Sequence, residues 1–108
     1  MSIKHVQFDT TASLAFGSIT GSAQTVTTFS QDCDEVFMIN STDAMLIVSL
    51  PQLVSNVVTY RDFIRLPEQT GMIYDGRTNN KRLCKGDVKV RYASGAPTSG
   101  EFSVTGLR

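Results

Sequence analysis

The chain has 108 residues, 41% of them hydrophobic and 19% charged, and its ten basic and ten acidic side chains cancel. That is one domain, large enough to bury a core without staples and too small for a second. The composition excludes a disordered tail and a strongly basic nucleic-acid module, and no apolar run approaches the length of a membrane span.

The zero net charge hides an asymmetry. Residues 1–60 hold one base, Lys4, against five acids, and residues 61–108 hold nine bases against five acids. If the halves map to different surfaces, the molecule is polarised and suited to contacts with copies of itself or with other proteins. If a sandwich interleaves the halves, the fields largely cancel, and this is the reading we favour.

Met1–Thr11 lacks the apolar stretch of a secretory signal, so cytoplasmic synthesis is expected, with Cys33 and Cys84 as reduced, partly buried thiols. Two cysteines carry no spacing pattern from which to infer a disulfide. Ile3 to Phe8 alternates like an edge strand or an arm. From Thr10 to Ser30, ten of twenty-one residues are Ser or Thr. Within that stretch Ala12-Leu14-Phe16 and Val26–Phe29 carry strand patterns, with a turn around Gly17–Ser22.

Glu35 to Leu50 is the most apolar stretch. It reads as two strands, Val36–Ile39 and Met45–Leu50, split by the turn Asn40-Ser41-Thr42-Asp43 and closed by Pro51. We expect a central hairpin. Neither arm alternates cleanly in hydropathy, so both faces are expected to be covered. The pieces are too short for typical helices.

Gln52–Asn56 reads as a loop. A strand from Val57 to about Leu66 slips phase at Arg61-Asp62, which predicts a bulge or break. Gly71–Tyr74 is another short strand, and Asp75–Asn80 is dense in turn formers. In Val88–Tyr92 apolar and basic residues alternate, which predicts a half-buried strand with Lys89 and Arg91 in solvent. After the connector Ser94–Gly100, Phe102, Val104 and Gly106 alternate with Glu101, Ser103 and Thr105. The expected fold is all-β: a single antiparallel β-sandwich, jelly-roll-like or Ig-like, of about eight short strands with no significant helix.

Groups able to carry chemistry are scarce. His5 is the one histidine, and no nucleophile-elbow spacing accompanies it. Asp32, Asp34 and Glu35 around Cys33 lack the ligand number and spacing of a calcium or zinc site, so they read as a solvated acidic link. No cofactor is expected. Arg77, Lys81, Arg82, Lys85, Lys89 and Arg91 form a basic region. The domain is neutral overall and places no aromatic for stacking there, so a solvated or protein-binding face is the better reading. A carbohydrate-binding module would need Tyr60 or Tyr74 as a platform, and both fit core positions better.

Five phrases carry a resemblance: Ile39-Asn40-Ser41-Thr42-Asp43-Ala44, Asp62-Phe63-Ile64-Arg65-Leu66-Pro67, Thr70-Gly71-Met72-Ile73, Lys85-Gly86-Asp87-Val88-Lys89-Val90, and Gly95-Ala96-Pro97-Thr98-Ser99-Gly100-Glu101-Phe102. Spread over residues 36–105, they resemble small all-β virion proteins of tailed bacteriophages, which decorate the capsid or sit at its neck and tail. The resemblance implies a non-enzymatic structural protein of the virion, a capsid decoration or cement protein first. A neck or tail accessory is the alternative within that group, and a carbohydrate-binding or host-recognition module the alternative outside it. It implies a homo-oligomer, a trimer by preference, bound to the major capsid protein or to neck and tail proteins; from run length and charge no membrane partner is expected and nucleic acid is disfavoured as a partner. No site residues carry over with it. Exposed termini and loops on a rigid sheet place the expected interface at Ile3, Val6 and Phe8, at Asp75, Arg77, Asn79 and Lys81, and at Pro97 and Thr98.

Overall fold

A computed structural model describes residues 8–55, 57–60, 63–75 and 83–107. Five nested antiparallel pairs organise it. β1 (Phe8–Ala15) pairs with β10 (Glu101–Leu107), and β2 (Gln24–Phe29) with β9 (Gly86–Tyr92). Next inward, β3 (Glu35–Asn40) pairs with β8 (Thr70–Asp75), and β4 (Leu46–Ser49) with β7 (Phe63–Leu66). The innermost pair, β5 (Gln52–Val54) with β6 (Val57–Thr59), is the tip. The chain is thus one long ribbon doubled back near residue 55.

The ribbon is then wrapped. β10 also pairs with β3, and β9 also pairs with β4. The result is sheet I, ordered β1-β10-β3-β8, sheet II, ordered β2-β9-β4-β7, and the separate tip hairpin. Two four-stranded antiparallel sheets with this order form a jelly roll, which settles the choice between jelly-roll-like and Ig-like topologies. Among the described residues the strands number ten, because the tip hairpin adds two to the eight of the sandwich.

Alternation fills the space between the sheets. Val36 and Met38 of β3, Leu46 and Val48 of β4, Val88 and Val90 of β9, and Phe102 and Val104 of β10 are all fully buried. Phe29 and Leu66 close the core from β2 and β7. Each such side chain contributes about 1.5–3 kcal/mol relative to exposure. The half-buried strand expected at Val88–Tyr92 and the alternation from Phe102 to Gly106 both hold.

Five expectations are corrected. Glu35–Leu50 is not a hairpin: β3 lies in sheet I and β4 in sheet II, and residues 41–45 cross between them. In a jelly roll each strand pairs with a partner from the other half of the ribbon, so hydropathy alone misassigns neighbours. Nor is β3 covered on both faces, since Phe37 and Ile39 are exposed, while all four residues of β4 are buried. Gln52–Asn56 is not simply a loop, because Gln52–Val54 is β5. Val57–Leu66 is two strands in different sheets, with the expected break between them. Phe16 also leaves the strand pattern, opening the 3-10 turn Phe16–Ser18. Among the described residues, no helix is long and apolar enough to cross a membrane.

The wrap also decides the charge question. Each sheet alternates strands from the two halves of the sequence. The asymmetry between halves is therefore interleaved strand by strand.

Candidate functional site

Three connections meet at one end of the sandwich: residues 41–45, 67–69 and 93–100. Asn40 is fully buried, and its Nδ2 donates to the carbonyls of Ala44 (2.9 Å), Leu66 (3.0 Å) and Pro67 (3.1 Å). Its Oδ1 accepts from Thr42 N–H (2.9 Å) and from the Thr42 hydroxyl (2.6 Å). A buried amide with its donors and acceptor all engaged is a structural fastener.

Asp43 extends the knot. Its carboxylate accepts from the Thr98 N–H at 2.7 Å and from the Thr98 hydroxyl. Those two bonds, the hydroxyl's first, hold its pKa below the ordinary 3.8. Ser41 binds both backbone groups of Glu101, and Gln69 Nε2 donates to the carbonyls of Ser41 and Thr42. Gly100, at φ +87°, passes so close that an added Cβ would lie 2.1 Å from the Ser41 carbonyl oxygen. Only glycine fits there.

An open cleft of about 430 Å³ lies beside the knot, lined by residues including Asp43, Met45, Pro67 and Glu68. It has no aromatic platform for a sugar ring, and its Asp43 carboxylate is ionised and committed to Thr98. A general acid or base works best with a pKa near the operating pH, and Asp43 is shifted the other way.

Of the interface residues expected from the sequence, Phe8, Asp75, Pro97 and Thr98 are among the described residues. Phe8 opens β1 opposite Leu107. Asp75 ends β8 opposite Glu35. Pro97 is buried and Thr98 is held by Asp43, both in the knot. Ile3, Val6, Arg77, Asn79 and Lys81 lie outside the described residues, as does His5. Asp32 is exposed and accepts the Lys85 N–H at 3.0 Å, and among the described residues no three His, Cys, Asp or Glu side chains converge. Cys33 and Cys84 are both buried.

Neither tyrosine offers an open ring. Lys89 Nζ sits 4.7 Å from the Tyr60 ring centroid. Burial, and then the Asp87 charge, raise the Tyr60 pKa. Tyr74 packs against the core, and its hydroxyl lies 3.4 Å from Gln52 Nε2.

Sequence reasoning missed the outer face of sheet I. Phe37 (36% exposed), Ile39 (39%) and Ile73 (59%) lie there. Register places Thr11, Thr105, Phe37 and Ile73 in one row, and Ser13, Ser103, Ile39 and Gly71 in the next. Both rows are uncharged. The signal was Asn40: in phase with Val36 and Met38, and needing a buried partner set, it marks the inner face. The outer face of sheet II is unlike this one. Arg65 and Arg91 flank Ile47 in register, and Lys89 lies beside Ser49. Lys89 and Arg91 are half-buried there, not fully in solvent. Ile47 between the two arginines is only 7% exposed.

No family model, curated protein or solved structure matches the chain.

Proposed function

We propose that this protein is a non-enzymatic structural component of a tailed-phage virion, a capsid decoration protein that binds through broad sheet surfaces. The observation that carries the reading is the outer face of sheet I, where two uncharged rows hold three exposed large apolar side chains on a rigid jelly roll. Such a patch on a small domain marks a protein-binding surface more often than a solvated one. The jelly roll is also an architecture used by capsid proteins, an argument by analogy of fold. The loop end supports the same reading, because the side chains of Asn40, Ser41, Thr42, Asp43, Gln69 and Thr98 are fastened within it.

Cryo-electron microscopy of purified particles from cells expressing the protein tests this. Density for the sandwich repeated on the capsid lattice is the expected result. Density confined to the portal end would move the assignment to a neck or tail accessory, and absence from the particles would overturn it.

A further inference from the structure

Among the described residues the sandwich has four strand edges: β1 and β8 in sheet I, β2 and β7 in sheet II. An edge strand presents backbone groups that can take up a further strand, and folded proteins blunt such edges with bulges, charges, Pro or short length. Three of the four are blunted. The register of β1 against β10 shifts between Phe8 and Thr11, and that of β2 against β9 between Thr25 and Thr27. Such irregularities bend a strand and increase its twist. β7 has four residues, carries Arg65 and is followed by Pro67.

β8 has none of these features. Its six residues run in unbroken register with β3, from Thr70 opposite Asn40 to Asp75 opposite Glu35, and the five from Thr70 to Tyr74 are uncharged. Among the described residues no strand pairs with its other edge. Exposure agrees. Ile73 is 59% exposed, and Met72 is only partly buried although Met38, directly opposite it on β3, is fully buried.

A two-fold axis at Ile73 makes this edge complementary to itself. It sets Ile73 opposite its own counterpart, Met72 opposite Tyr74 and Gly71 opposite Asp75, so no like charges face each other. Apolar β-branched side chains directly opposite stabilise a strand pair, and like charges there oppose it. An axis at Met72 would set Ile73 opposite Gly71 and forfeit that contact. Main-chain hydrogen bonds supply the affinity of strand addition, and a two-fold contact uses the same residues in both copies.

We propose that β8 is a docking edge for a second copy of this chain: two β8 strands pair antiparallel about an axis at Ile73 and join the two copies of sheet I into one continuous sheet. This pairing rests on the reading of the protein as an assembly component and gives that assembly its building block. The outer face of sheet I stays open in the pair, and the row of Phe37 and Ile73 runs on across the join.

Light scattering on the purified full-length protein tests it with two variants, Ile73→Lys and Ile73→Glu, each of which sets like charges at the axis. The wild type at high concentration is expected at twice the monomer mass and each variant at the monomer mass. An equal mixture of the two variants is expected back at twice that mass, because opposite charges now meet. Added salt should weaken the mixed pair and spare the wild-type pair. Thermal melts check folding. Amide hydrogen exchange on the wild type needs no variant: protection of residues 70–75 is expected to rise with protein concentration.

A wild type that stays monomeric at high concentration overturns the pairing, as does either variant at the wild-type mass or a mixture that stays monomeric. Concentration-dependent protection confined to other strands overturns it too. A monomer that still appears on the capsid lattice would end the pairing and leave the virion reading standing. Pairs in solution with no protein on particles would do the reverse.

Discussion

Along β3, Asn40 is sealed from solvent while Ile39 beside it is 39% exposed. The contrast extends to the regions these two residues belong to. The loop end around Asn40 is built from residues typical of a binding loop: Asn, Ser, Thr, Asp, Gln. Their side chains are hydrogen-bonded within that end, mostly to backbone groups. The outer face around Ile39 is built from core-like residues, Phe37, Ile39 and Ile73, and these are exposed. The chemical character of a side chain therefore says little here about whether it holds the fold or meets a partner. Position on the pleat decides.

Substitutions should separate the regions by what they damage. Asn40→Ala strips the donor from the Leu66 and Pro67 carbonyls and the acceptor from Thr42, leaving several buried groups unsatisfied at about 1–3 kcal/mol each. A loss of about 4 kcal/mol in urea unfolding is expected, the largest effect in the set. Gly100→Ala comes next, because the backbone at Ser41 must move to admit the methyl group at positive φ. We expect about 3 kcal/mol, and at roughly 4–8 °C per kcal/mol the melting temperature falls accordingly.

Asp43 gives a smaller, pH-dependent effect. Its folded pKa is depressed, so its contribution is complete above the ordinary carboxylate value of 3.8 and is lost as pH falls through the lower folded value. Melting curves at pH 5 and at about pH 2.5 should show a smaller acid-induced loss in Asp43→Asn than in the wild type. An equal loss in both would remove Asp43 from the fastening. The smallest stability change belongs to the sheet face: Phe37→Lys should alter unfolding by no more than about 0.5 kcal/mol.

The all-β class and most strand positions were legible because alternation and turn chemistry are local. Val88–Tyr92 and Phe102–Gly106 alternate with period two, and a pleat converts that directly into an inner and an outer set. What was not legible is pairing. Val36–Asn40 lies five residues from Leu46 in sequence, yet its neighbours are Thr70–Asp75 and Glu101–Leu107. The wrap of a ribbon is a global property that no short window contains. The exposed face failed for a related reason. Both alternate sets of β3 are apolar, so hydropathy could not choose between them, and the choice rests on Asn40, whose partners come from two other connections. At the loop end, Pro97 and Thr98 looked like a free surface because the carboxylate that holds Thr98 is 55 residues away.

The distinction between the fastened end and the exposed apolar face is tested most directly by one paired measurement on Ile73→Lys, its melting temperature and its retention on purified particles. Unchanged melting with loss of retention is the predicted result. Melting lowered as for a core substitution, or retention equal to that of the wild type, would contradict the account.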